Sequence, residues 1–140
     1  MKIILLPFIL CLAFMSSKAQ TPSEVVDLFF TALNSKDIAL LESLSTEDLQ
    51  IHTLNIKNDN TLSKQTLSEF SNGLKSIPEN DTIQEKIRSK ESIESEHLSQ
   101  YTLAYSFYVN DELTHSGTNV LTLINTEKGW KISYIADTRE

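Results

Sequence analysis

Hydrophobic spacing changes once along this chain, at Pro78. Before that residue apolar side chains recur every three or four positions; after it they recur every second position, the signatures of helix and strand. Thr21-Pro22-Ser23-Glu24 reads as a helix start, with Thr21 as N-cap, Pro22 at the first helical position and Glu24 closing a capping box. Val25, Val26, Phe29, Ala32 and Leu33 then give the helix an inner face, and Asn34 ends it. Asp37 caps a second short helix carrying Ile38, Leu40, Leu41 and Leu44. A strand is expected over 49–56, and a third helix over 63–76, where Leu67, Phe70, Leu74 and Ile77 share a face. Beyond Pro78, strands are expected over 82–93, 98–109, 114–125 and 130–137, with a tight turn at Asn110-Asp111 and a hairpin loop at 126–129. Three helices on one side of a long antiparallel meander make an α+β domain.

The N-terminus has the layout of a signal peptide. Lys2 precedes an apolar run from Ile3 to Met15, and Ser17 and Ala19 stand at the small-residue positions of a cleavage site, so residues 1–19 are expected to be removed. The run is too short to span a bilayer, and Cys11 lies inside it behind Leu10, against an acylated lipoprotein terminus. Export to the periplasm or beyond follows, with residues 20–140 as one domain. Cleavage would remove two lysines, no acid and the one cysteine, taking the formal charge from −7 to −9. A domain so acidic has no electrostatic footing on nucleic acid or on an anionic membrane. Lys86, Arg88 and Lys90 alternate with Glu85, Ile87 and Glu91 and read as one solvated strand face.

The last two strands carry apolar residues on both faces: Leu121 and Leu123 against Val120 and Ile124, and Trp130, Ile132 and Tyr134 against Ile135. Helices can cover one face. The other calls for a second copy of the protein, or for a sheet curled enough to bury its own back.

The order of elements, with Ala32-Leu33-Asn34-Ser35-Lys36-Asp37 between the first two helices and 126–132 in the final hairpin, resembles the nuclear transport factor 2-like superfamily, which includes SnoaL-like cyclases and ketosteroid isomerases. The resemblance implies a cystatin-like α+β barrel, in which a cone-shaped curved sheet and three helices enclose an apolar pocket, frequently in a homodimer. It does not imply an activity, because such a fold hosts enzymes, binders and interaction modules. The isomerase's tyrosine donor, carboxylate base and protonated aspartate fall on Phe29, Thr53 and Asn119. None of these can do the original job, except that Asn119 can still donate a hydrogen bond. A one-residue shift would bring His52 to the base position, and an imidazole there suits a general base.

Tyr101, Tyr105 and Tyr134 fall on apolar strand faces, where phenols line either a pocket or a core. Asp137 and Arg139, two apart on the last strand, point to one side, as an ion pair or as a grip on a polar ligand group at the cone's mouth. Neither a metal cluster nor a cofactor motif is present: there is no CxxC, HExxH or GxSxG, and three glycines cannot build a phosphate loop. The reading that results is an exported pocket protein binding a small apolar or aromatic molecule without transforming it. A SnoaL-like or isomerase-like enzyme using His52, and a dimeric interaction module without ligand, are the alternatives.

Overall fold

The computed structural model describes residues 19–140, so the expected leader lies, but for Ala19, outside the described residues. The chain runs α1 (Pro22–Ser35), α2 (Ile38–Ser43), β1 (Ser45–Asn55), β2 (Thr61–Thr66), α3 (Leu67–Lys75), β3 (Ile83–Glu94), β4 (Leu98–Val109), β5 (Glu112–Thr126) and β6 (Gly129–Arg139). The strands form one curved sheet in the order β2-β1-β6-β5-β4-β3. Consecutive strands from β3 to β6 are antiparallel, and β1 joins the meander parallel to β6.

Local chemistry fixes the helices where the sequence places them. The Thr21 hydroxyl accepts the Glu24 N–H at 3.2 Å while Glu24 accepts the Thr21 N–H at 2.7 Å, closing the capping box. Helix α1 buries Val25, Val26, Phe29, Phe30, Ala32 and Leu33, and ends at Lys36 with φ 56°. The Lys36 ammonium then ties the helix end to the Pro78 and Asp81 carbonyls at 2.9 and 2.6 Å. Asn110 and Asp111, both with positive φ, make the expected turn between β4 and β5, a conformation that asparagine and aspartate tolerate.

The expected third helix is shorter at its start. Residues 61–66 are instead an edge strand pairing with β1 from Asn55↔Thr61 to Gln50↔Thr66, after a turn in which Asp59 and Asn60 have positive φ. Thr66 is the true N-cap of α3, sharing a capping box with Glu69. Backbone groups of 61–66 find partners on β1, which outweighs continuing the helical spacing upstream of the cap.

On the concave face of the sheet Leu49, Ile51, Leu103, Leu121, Leu123, Ile132 and Ile135 meet α1 and Leu41 to form the core. On the convex face Tyr134 and Ile124 are each 36% exposed and Leu62 is 65% exposed. The sheet does not curl enough to bury this face within one chain.

Candidate functional site

Between the wide end of the sheet and helices α1 and α3 lies a cavity of about 260 Å³. Its wall is mostly apolar: Phe29 and Phe30 from α1, Phe70 and Leu74 from α3, and Ile51, Phe107 and Ile135 from the sheet. Polar groups enter through strand periodicity. Thr53, Asp137 and Asn119 are register partners on β1, β6 and β5, so their side chains lie side by side on the concave face.

Glu85, on β3, closes the constellation. The Asn119 amide donates from Nδ2 to Glu85 Oε1 at 2.5 Å. Because β3 is an edge strand, one side of its backbone has no strand partner. Asn34 of α1 supplies it, accepting the Glu85 N–H at 2.7 Å and donating to the Glu85 carbonyl at 3.2 Å. The edge residue is thereby held at both backbone groups while its carboxyl reaches inward. Burial pushes that carboxyl up to about 7, against the lowering by the Asn119 amide, and the Asp137 charge raises it further.

Burial likewise raises the Asp137 carboxyl, opposed by the Thr53 hydroxyl that donates to it and by Arg139, whose Nε lies 3.6 Å from Asp137 Oδ2. Tyr105 donates its hydroxyl to the Thr138 carbonyl at 2.8 Å, and burial raises its phenol. Gly117 stands opposite Tyr105 in the sheet, and a Cβ there would overlap the same Thr138 carbonyl oxygen. His115 stacks on Phe107 with ring centroids 5.0 Å apart, and burial, then the charges of Arg139 and Lys57, lower its imidazole to about 4.

Of the residues singled out from sequence, Phe29, Tyr105, Asn119, Asp137 and Arg139 line the cavity together, as does Thr53. Three do not. His52 lies on the convex face, its ring 5.4 Å from that of Tyr134, because it alternates with Thr53 and the inward register belongs to Thr53. His52 is therefore not placed to be a base for this cavity, and Tyr134 is outside with it. Tyr101 is 1% exposed and forms part of the core, its hydroxyl donating to Glu94.

Glu85 is the site residue that the sequence reading did not single out. It belongs to the inward series with Ile83 and Ile87, not to the solvated series with Lys86. The signal was present in the period of two, since Glu85 is two residues from each isoleucine. His115 carries the same kind of signal, alternating with Gly117, Asn119 and Leu121 on β5.

Comparison with known proteins agrees with this architecture. Residues 23–136 match the family described as Domain of unknown function (DUF4829). No curated protein matches the chain. Among solved structures, a nuclear transport factor 2-like protein from Cytophaga hutchinsonii superposes with a TM-score of 0.70 at 11% identity, covering 84% of this chain and 94% of that one. Another such protein, of unknown function, from Shewanella baltica gives 0.59 at 12% identity, with 84% and 90% covered. A protein of unknown function with a cystatin-like fold from Nostoc punctiforme gives 0.65 at 8% identity, with 84% and 87% covered. The fold is nuclear transport factor 2-like; identities this low carry the fold and no activity.

Proposed function

The chain belongs to the DUF4829 family, and on that premise we propose that it is a binding protein for a small, largely apolar molecule held between the helices and the concave sheet. The observation that carries this reading is the cavity itself. A cleft of about 260 Å³ walled by four phenylalanines leaves apolar surface open to solvent, and a bound molecule would cover it. The few polar groups in it would set the orientation of the ligand.

Gly73 gives the reading a direct test. It lies at the cavity's edge on α3, where an added Cβ meets nothing within 4 Å. Gly73→Leu should plug the site while favouring the helix by up to about 1 kcal/mol. Native mass spectrometry of the purified protein, wild type against Gly73→Leu, should find a retained small molecule in the first alone. A wild-type protein that retains nothing and binds no apolar probe in solution would sink the proposal.

A second reading, proton transfer, is favoured by one feature: burial beside Asn119 and Asp137 pushes the Glu85 carboxyl up to about 7, the range that suits a general acid or base. In it Glu85 takes the place first considered for His52. A substrate turned over with an acid limb that disappears in Glu85→Gln would establish it.

Export and self-association complete the proposal. The leader-like residues 1–19 support release into the periplasm or medium, checked by the N-terminal residue of protein recovered from its host. The convex face, with Leu62, Tyr134 and Ile124 exposed, supports a homodimer, checked by sedimentation at micromolar concentration.

A further inference from the structure

We propose that the molecule taken by this cavity is a small organic amine bound as its monocation, with the ammonium group against the free oxygen of Glu85 and the carbon frame against the phenylalanines. The inference rests on the pocket reading above and adds to it the chemical class of the ligand.

The argument is one of unequal compensation. Two carboxylates face the cavity. Asp137 is answered by the Thr53 hydroxyl and by the Arg139 guanidinium. Glu85 is answered by a single neutral amide, from Asn119 to Oε1, and among the described residues no side chain or backbone group donates to Oε2. A buried carboxylate held by one amide is either protonated or waits for a cation. Of the other groups that face it, Arg139 alone lowers the carboxyl, through its charge and without a hydrogen bond to it. Arg139 on β6 is engaged with Asp137; His115 on β5 is held neutral by burial; the Tyr105 hydroxyl on β4 is spent on the Thr138 carbonyl. From α1 and α3 the cavity receives only uncharged side chains, Phe29, Phe30, Leu33, Phe70 and Leu74 among them.

An anionic ligand would enter beside two carboxylates and meet repulsion. A neutral one would leave Glu85 as it is. A monocation pairs with Glu85 at short range between apolar walls, and aromatic faces add a further attraction for it. The backbone clamp from Asn34 holds the strand edge that carries Glu85, so the carboxyl is positioned before the ligand arrives.

Binding of a cation then competes with binding of a proton. With the Glu85 carboxyl near 7 in the empty site, affinity for a cation must rise with pH, by up to about thirtyfold between pH 5.5 and 8. Asp137, whose carboxyl is also raised, acts in the same direction, and His115 stays neutral throughout that range.

The test compares benzylammonium, charged across the whole range, with benzyl alcohol of nearly equal size, by ligand-observed NMR titration of the protein at both pH values. Benzylammonium is expected to bind at least tenfold tighter at pH 8, with the preference shrinking at pH 5.5 and absent in Glu85→Gln. Equal or tighter binding of benzyl alcohol at pH 8, or benzylammonium affinity that stays level or falls as pH rises, overturns the amine inference and leaves the pocket reading standing. Should neither probe bind, pocket and inference fall together. The pH series on the wild-type protein decides the matter even if Glu85→Gln does not fold.

Discussion

Where the sheet meets the cavity, its two faces depart from the usual rule of polar outside and apolar inside. On the concave face, Thr53, Asp137 and Asn119 line up across β1, β6 and β5 and join Glu85 inside a cavity walled by phenylalanines. One residue away on the same strands, the convex face carries His52, Tyr134, Val120 and Ile124, partly exposed and mostly apolar. Buried polar groups in a small domain lower its stability unless they are satisfied. Exposed apolar patches invite association. On the proposed reading the inner set serves a ligand and the outer a second copy of the chain.

The strongest way to break that contrast is to delete a side chain from each face at adjacent positions. Leu123, wholly buried on the concave side, should cost about 2–5 kcal/mol on replacement by alanine. Its neighbour Ile124, 36% exposed, should cost less than about 1 kcal/mol in the monomer. Chemical denaturation of both variants at low protein concentration measures this, and equal losses would remove the distinction between the faces.

Next in size is the effect of Glu85→Gln. A carboxyl raised from 4.5 to about 7 binds its proton more tightly in the folded chain, so its contribution to stability is complete below the unfolded value and is lost as pH rises from 4.5 through 7. The wild-type protein should therefore lose up to about 3 kcal/mol across that interval on account of this group. The variant should lose much less, and be the more stable of the two at pH 8. His115, lowered to about 4, acts oppositely: its contribution is present above 6.5 and lost as pH falls through 4. Thermal unfolding of wild type and variant between pH 4.5 and 8 separates the two, and parallel curves would show Glu85 to be an ordinary surface carboxyl.

A charge placed on the convex face sharpens the other half of the comparison. Val120→Asp should weaken self-association at least tenfold, about 1.4 kcal/mol, while leaving ligand affinity unchanged, as sedimentation and titration would report. A wild-type chain that stays monomeric would end the dimer proposal. Smallest of all, His52→Ala should leave probe binding in the cavity unaffected and shift stability by less than about 1 kcal/mol, since its Nδ1 is buried with no hydrogen-bond partner to lose. A tenfold loss of binding would bring the convex face back into the functional site.

Much of the fold was legible because it rests on local chemistry. The capping box at Thr21 and Glu24, the Asp37 cap, the Asn110-Asp111 turn and the alternation of β4 are written in neighbouring residues. The strand over 61–66 was not, because nothing in Thr61-Leu62-Ser63-Lys64-Gln65-Thr66 requires extension except a partner on β1. In the site, Asn119 was singled out through the resemblance and Asp137 through its spacing to Arg139, while the face they share was not legible. Nor was the choice between His52 and Thr53, since a register shift of one residue exchanges the two faces and apolar neighbours stand on both sides of it.

By itself, then, the sequence determined the starts of the first two helices, the antiparallel meander after Pro78, the α+β class and the acidic character of the domain. Each of these follows from residues within a few positions of one another, or from composition. The tertiary structure alone decided that β1 runs parallel to β6, that Glu85 faces Asn119 from a strand 34 residues away, and that a cavity remains between sheet and helices. Pairing partners, sheet curvature and unfilled volume depend on how distant segments share one core. Side-chain periodicity is fixed within a strand, but which face becomes the inside is settled only when the helices choose it.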